Sequence, residues 1–131
     1  MARPRHENPT PAELEVLQVI WEQGPSTVRQ VMNVLNEERP RAYTSVMSLM
    51  NVMAEKDLLT QKPKGRAFVY SAKISQARTQ SQIVKDLLGR VFDGSASVLV
   101  THLLEQARPD SEELDEIQKT ISEFARKKGG A

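Results

Sequence analysis

Apolar residues recur along this chain with a helical period, switch once to strict alternation, and then return to the helical period. Thr10-Pro11-Ala12-Glu13 opens the first helix. It offers a capping hydroxyl, a proline at the first helical position and a Glu that can reach back to the cap. Leu14, Leu17, Ile20 and Trp21 then share one face. Gly24-Pro25 ends the helix, because glycine accepts the left-handed terminal conformation and proline blocks continuation. A second helix starts behind Ser26 or Thr27, carries the stripe Val28, Val31, Met32 and Leu35, and stops at Glu37-Glu38-Arg39-Pro40. A third, from about Ala42 to Asp57, directs Val46, Leu49, Met50 and Met53 inward. Its other face holds Thr44, Ser45, Ser48, Asn51 and Val52, all small or uncharged.

The alternating stretch reads as two strands, Leu58 to Lys62 and Ala67 to Ser71. Lys62-Pro63-Lys64-Gly65 between them suits a type I turn, with proline second and a positive φ at Gly65. The result is a hairpin with Lys62, Lys64 and Arg66 around its tip. Beyond Lys73 the helical period resumes. Ile83, Val84, Leu87, Leu88 and Val91 form one stripe, broken at Asp93-Gly94-Ser95, where Ser95 caps the next helix. Val98, Leu99, His102 and Leu103 follow, and Arg108-Pro109-Asp110 breaks again. Asp110 and Glu113 make a further capping pair. Leu114, Ile117, Ile121 and Phe124 repeat at the seam spacing of a short coiled coil. The tail from Arg126 to Ala131 is basic, then Gly-rich, and is expected to fray. These distal stripes have little core of their own to meet. A second copy of the chain, related by a two-fold axis, would cover them; packing back onto the first unit is the alternative.

Composition narrows the chemistry. The chain has 131 residues, 39% apolar and 27% charged, with 18 basic against 17 acidic side chains. It can build a core, and its near-neutral charge excludes a uniformly basic nucleic-acid tail. The charge is nonetheless uneven. From Arg39 to Lys73 the basic residues Arg39, Arg41, Lys56, Lys62, Lys64, Arg66 and Lys73 face only Glu55 and Asp57, whereas Asp110, Glu112, Glu113, Asp115 and Glu116 make the distal part acidic. There is no cysteine, so disulfide scaffolds, thiol nucleophiles and thiolate metal sites are excluded. No apolar run approaches the ~20 residues of a membrane span. The charged, Pro-rich start lacks the apolar core of a secretory signal. A cytoplasmic protein without membrane insertion is expected.

Catalysis finds little support. His6 lies in the N-terminal arm, and His102 sits on an apolar stripe, where an interfacial histidine is the usual explanation. The six glycines form no phosphate-binding loop. The acidic cluster falls in a helix's first turn, where the macrodipole favours it. No enzyme, metal or cofactor is expected. Nucleic-acid binding fits better. A helix entering the major groove wants short hydroxyl and amide groups outward and cations where phosphates pass. The third helix offers Thr44, Ser45, Ser48 and Asn51, and solvated faces usually carry Glu and Lys, which are absent here before Glu55. With the cationic hairpin this is a winged helix-turn-helix layout.

The order of short motifs resembles the penicillinase-repressor family (BlaI/MecI/CopY type). The resemblance is carried by Thr10-Pro11-Ala12-Glu13-Leu14-Glu15-Val16-Leu17 with Trp21, by Gly24-Pro25-Ser26-Thr27-Val28-Arg29-Gln30-Val31, and by Ala42-Tyr43-Thr44-Ser45-Val46-Met47-Ser48. Lys56-Asp57-Leu58-Leu59, Lys64-Gly65-Arg66-Ala67-Phe68-Val69-Tyr70 and Val91-Phe92-Asp93-Gly94-Ser95 continue it. It implies a dimeric transcriptional repressor, with a winged helix for an inverted-repeat operator and interlocking C-terminal helices. In β-lactam-responsive members a membrane sensor protease triggers cleavage in the dimerisation part. Copper-responsive members carry a C-terminal cysteine motif that this chain lacks. Two departures stand out. Members often have an arginine where Val52 stands, so a cationic contact is missing or Lys56 and Arg41 compensate. The β-lactam repressors are cut at an Asn–Phe bond, and the aligned pair here is Thr101–His102, so the inducing signal does not carry over.

The reading is therefore a mainly α chain with an arm at residues 1–9, a winged-helix DNA-binding domain at 10–73 and a helical dimerisation region at 74–131. Tyr43, Thr44, Ser45, Ser48 and Asn51 are expected to face bases, Asn51 pairing with adenine if it reaches. Arg41, Lys62, Lys64 and Arg66 are expected to hold phosphates. Dimerisation would rest on Ile83, Leu87, Leu99, Leu103, Leu114, Ile117, Ile121 and Phe124. Expected partners are double-stranded DNA, a second copy and a sensor protease. The rival from another class is a winged-helix protein-interaction module without sequence-specific DNA binding.

Overall fold

The computed structural model describes residues 8–129, so most of the arm, including His6, and the last two tail residues lie outside it. The elements in chain order are α1 (Pro11–Gln23), α2 (Val28–Leu35), α3 (Tyr43–Glu55), β1 (Leu59–Lys64), β2 (Ala67–Ala72), α4 (Gln76–Arg90), α5 (Ala96–Ala107) and α6 (Ser111–Gly129). The fold is thus mostly helical with one two-stranded antiparallel hairpin. The chain divides into two compact units after Lys85, within α4. The first unit extends beyond Lys73 because Trp21 Nε1 donates to the Ile74 carbonyl at 3.0 Å and Thr79 is buried.

Local chemistry sets the ends of the first three helices. Thr10 and Glu13 close a reciprocal capping box on α1, and Thr27 with Gln30 closes another on α2. Thr27 is therefore the cap of α2, and Ser26 is left for another role. Gly24 ends α1 with φ +88°. The end of α3 is less expected. Asp57 takes φ +67°, and the Leu58 N–H reaches back to the Met53 carbonyl at 2.9 Å. That is a Schellman closure with aspartate where glycine is usual, a residue that tolerates the left-handed region.

The core gathers Val16, Leu17, Val19 and Ile20 of α1, Val28, Val31 and Leu35 of α2, Val46, Met50 and Met53 of α3, Leu59 of β1 and Tyr70 of β2. The stripe expected on α1 was too narrow. Val16 and Val19 are buried with Leu17 and Ile20, while Leu14 and Trp21 are half-buried. The reason is that α1 packs against α2, α3 and β2 together, so a wide arc of its surface leaves water.

The hairpin is longer than expected, and its turn lies further along. Lys64 pairs with Ala67, so Gly65 and Arg66 form the two-residue turn. Gly65 has φ +64° and Arg66 is not among the positive-φ residues. Glycine at the first central position of a primed turn matches the strand twist, which a type I turn on Pro63 and Lys64 would not. Pro63 is instead a strand residue facing Phe68. The backbone of Tyr70 exchanges hydrogen bonds with Ser26, at 3.0 and 2.8 Å, forming an isolated bridge. The Tyr70 pair with Gln61 therefore carries no ladder bonds of its own, and alternation makes Pro63 another such position. Its missing N–H would point to the open edge, where proline is tolerated.

In the second unit, Ser95 caps α5 through the Val98 N–H, and Asp110 accepts from the Glu113 N–H at 2.8 Å. Arg108 takes φ +46° at the end of α5. No residue of α5 or α6 is buried. The tail expected to fray from Arg126 continues α6 through Gly129. Among the described residues no helix is long and apolar enough to cross a membrane.

Glu13 does more than cap. Its carboxylate also meets Lys56 Nζ at 2.8 Å, joining α1 to the end of α3. Burial pushes its carboxyl upward, but hydrogen bonds from Lys56 and Thr10 and the Lys56 charge outweigh this and hold it below its ordinary 4.5. A depressed folded value contributes stability above about 4.5, and that contribution is lost as pH falls through the folded value. Glu13→Gln should cost about 2 kcal/mol at neutral pH, as for a buried pair whose lysine can still reach water. In urea titrations from pH 7 to 3, the gap between wild type and variant should narrow with acidification. A constant gap would contradict the ion-pair account.

Candidate nucleic-acid interface

One face of α3 is built to be exposed. Val46, Met50 and Met53 turn into the core, which by helical geometry directs the opposite side outward. Tyr43, Thr44, Ser45, Ser48 and Val52 are all exposed, with Thr44, Ser48 and Val52 in line at four-residue steps. No lysine or arginine lies within α3, whose only charged residue is Glu55. Beside this helix the hairpin carries Lys62, Lys64 and Arg66, all exposed and, among the described residues, in no ion pair. At the hairpin's base Lys73 pairs with Asp57 at 3.0 Å.

Two residues read as ligand contacts are held inside the domain. Arg41 was expected on a phosphate, but its side chain is only 11% exposed. The guanidinium donates to the carbonyls of Leu35 and Arg39 and meets Glu15 at 3.1 Å. It covers the carbonyl end of α2 and ties the α2–α3 connection to α1. In this structure the Arg41 guanidinium is therefore engaged within the domain, with Leu35, Arg39 and Glu15 as partners. The cation that lies nearer solvent there is Arg39, 3.7 Å from Glu15. Lys56 and Arg41, the cations nearest in sequence to the two ends of α3, are both engaged by α1 glutamates.

Asn51 is half-buried, and its Oδ1 accepts from the Tyr70 hydroxyl at 2.7 Å and from Gln61 Nε2 at 3.3 Å. Gln61 Nε2 also donates to the Tyr70 oxygen at 2.8 Å. A bidentate contact to adenine needs both ends of the amide. With the oxygen occupied, Asn51 serves here to fasten α3 to the hairpin. Burial raises the Tyr70 hydroxyl's pKa, against the hydrogen bond from Gln61, with Tyr43 adding a smaller upward push. The group stays neutral and able to donate at any physiological pH.

A match to the penicillinase repressor family covers residues 9–123. This chain belongs to that family. It is 25% identical over 117 residues to the penicillinase repressor of Bacillus licheniformis, spanning 89% of this chain and 91% of that one. It is 30% identical over 114 residues to the transcriptional regulator BlaI of Mycobacterium tuberculosis, spanning 86% and 81%. The solution structure of the DNA binding domain of the repressor BlaI is 26% identical at a TM-score of 0.48, covering 53% of this chain and 84% of that one. The crystal structure of the transcriptional regulator Tm0710 from Thermotoga maritima has a TM-score of 0.51 at 16% identity, covering 92% and 78%. The penicillinase repressor family is one of transcriptional repressors, not enzymes.

In this family member the sequence reading missed two features of the face. The Arg29 guanidinium lies over the Tyr43 ring, 5.1 Å from its centre, joining the first turn of α2 to the first turn of α3. The one available signal was that Arg29 falls off the buried stripe of α2. Tyr70 was seen only as a strand residue, yet its backbone and hydroxyl together hold the α1–α2 connection, the hairpin and α3. His102, expected on the apolar stripe of α5, is exposed within the single chain, its ring tilted against Phe92 at 5.7 Å.

Tyr70→Phe should keep the core volume and the Ser26 bridge while removing the shorter of the two bonds to Asn51 Oδ1, leaving only that from Gln61. A loss of about 1 kcal/mol in chemical denaturation is expected, as for one net hydrogen bond. Unchanged stability would mean that Asn51 repairs its bonding without the tyrosine.

Proposed function

We propose that this chain is a homodimeric DNA-binding repressor that recognises an inverted-repeat operator in double-stranded DNA. The observation that carries the reading is the exposed, hydroxyl-bearing and cation-free face of α3 beside three unpaired hairpin cations. A major groove admits such a helix, and Tyr43, Thr44, Ser45 and Ser48 are the side chains it would meet first. Lys62, Lys64 and Arg66 would follow the phosphates alongside, fixing register and affinity more than sequence. Arg29, held on Tyr43, adds a cation at the start of the same face.

The homodimer reading is supported by what the second unit leaves uncovered. Leu103, Leu114, Ile121 and Phe124 are exposed, Phe124 by 72%. Leu87 on α4 is exposed as well, and Ile83, Leu99 and Ile117 are half-buried. A stripe of this kind is solvated only at a cost, and a second copy offers the same stripe in return. Two recognition helices would then address half-sites one helical turn apart, or a multiple of it. If a sensor protease acts on this chain, Thr101–His102 is a poor substrate as it stands. The bond lies inside α5, and Thr101 Oγ1 is bonded to the Ser97 carbonyl at 2.9 Å. Cleavage there would require α5 to open first.

Selection from random duplex DNA at two salt concentrations tests the reading directly. A palindromic site whose affinity falls steeply with salt is expected; equal weak binding to every sequence would overturn it. On the selected site Ser48→Ala should weaken specific binding by about 1 kcal/mol and leave random DNA unaffected. Lys64→Ala should weaken both alike and lower the salt slope by about one. Arg41→Ala should lower thermal stability and leave the slope unchanged.

Oligomeric state gives a separate check. Sedimentation at micromolar concentration should give a dimer of the 14.7 kDa chain. Leu103→Asp with Ile121→Asp should give folded monomers, because both side chains are already solvated within one chain. A doubly substituted protein that remains dimeric would refute the assigned interface.

A further inference from the structure

The α3 face carries one residue that a purely hydrogen-bonding surface does not need. Val52 is 45% exposed and stands in line with Thr44 and Ser48 on the solvent side of the helix. It contributes nothing to the core, where Val46, Met50 and Met53 sit. A β-branched residue is also a poor choice for a solvated helix position, since it loses side-chain freedom there and gains no burial. Its neighbours on the face offer hydroxyls, and it offers only methyl groups.

The surrounding chemistry narrows what those methyls could meet. The usual means of reading guanine is an arginine or lysine on the helix, and α3 has neither. Arg41 and Lys56, at its two ends, are bound to Glu15 and Glu13. The Asn51 oxygen is engaged by Tyr70 and Gln61, which removes bidentate reading of adenine. What remains on the face before Glu55 are the hydroxyls of Thr44, Ser45 and Ser48, the Tyr43 ring and the methyls of Val52. In the major groove of unmodified DNA the C5 methyl of thymine is the one apolar group on a base edge.

We infer that Val52 reads the C5 methyl of a thymine in each half-site. The inference rests on the repressor reading above and goes beyond it by naming a base and the atom recognised. Val52 follows Ser48 by one turn, about 6 Å along the helix axis. The thymine therefore lies within about two base steps of the pair that Ser48 meets. The branched side chain is held in essentially one rotamer on a helix, so its two methyls are presented in a fixed direction. Specificity at this position then owes nothing to charge and is insensitive to salt, unlike the affinity supplied by Lys62, Lys64 and Arg66.

Replacing thymine by deoxyuridine deletes that methyl and leaves base pairing and the O4 acceptor intact. The selected site is scanned with single deoxyuridine substitutions, and each duplex is titrated with wild type and Val52→Ala. One position per half-site should lose about fourfold in affinity with wild type, the worth of one buried methyl-sized group. Val52→Ala should bind the thymine duplex about as weakly as wild type binds the deoxyuridine duplex, and should not distinguish the two. Its melting temperature should be no lower than that of wild type, since Val52 is outside the core and alanine favours the helix. Wild type indifferent to deoxyuridine at every position overturns the inference while leaving the repressor reading intact. The same holds if Val52→Ala keeps the full discrimination. Failure to select any sequence overturns the repressor reading, and the role of Val52 with it.

Discussion

The arrangement of the first unit depends on one buried tyrosine. Tyr70 is 1% exposed, and it is bonded in three directions at once. Its backbone exchanges two hydrogen bonds with Ser26, its ring fills the core between α1, α3 and the hairpin, and its hydroxyl reaches Asn51 and is met by Gln61. A two-stranded ribbon is marginal alone. Through Tyr70 it is joined both to the connection that starts α2 and to the helix that would enter a groove. Buried polar networks of this kind are stable only when every member is satisfied, and no buried side-chain nitrogen or oxygen among the described residues lacks a partner.

Charge in this unit is divided between two tasks. Glu13 and Glu15 on α1 hold Lys56 and Arg41, the cations that bracket α3, and so tie both ends of that helix to α1. The hairpin cations Lys62, Lys64 and Arg66 have no such ion pair among the described residues. The division explains how a chain of nearly neutral net charge can still present a positive ridge. It also means that counting basic residues between Arg39 and Lys73 overstates what faces outward.

Much of this was legible in the sequence, because local rules and tertiary packing agree in most places. Caps, glycine stops and helical stripes placed α1, α2 and α3 within a few residues, and strand alternation with Gly65 identified the hairpin. The turn was misplaced by two residues because Pro63 satisfied a local turn rule that pairing with Phe68 overrode. The exposure of Thr44, Ser45 and Ser48 was legible from their positions on α3, and an amphipathic helix seldom leaves its outer face without Lys or Glu. That Arg41 and Asn51 have partners within the domain was not legible, for a common reason. Their residue types suit a nucleic acid, and only distant partners, Glu15 for one and Tyr70 for the other, determine whether those groups are free. No periodicity reports a contact that spans such a distance in the chain.

Pro63 has a further effect on the open side of the hairpin. The outer edge of β1 carries Lys62 and Lys64 and lacks an N–H at Pro63, near the turn, so it is a poor template there for a strand from another molecule. Copies crowded along the same duplex would meet these edges often. An uninterrupted ribbon there would invite sheet growth between neighbours, and with it precipitation. The proline keeps the hairpin two strands wide and separate, so that chains can gather at high local density and remain individually dissolved.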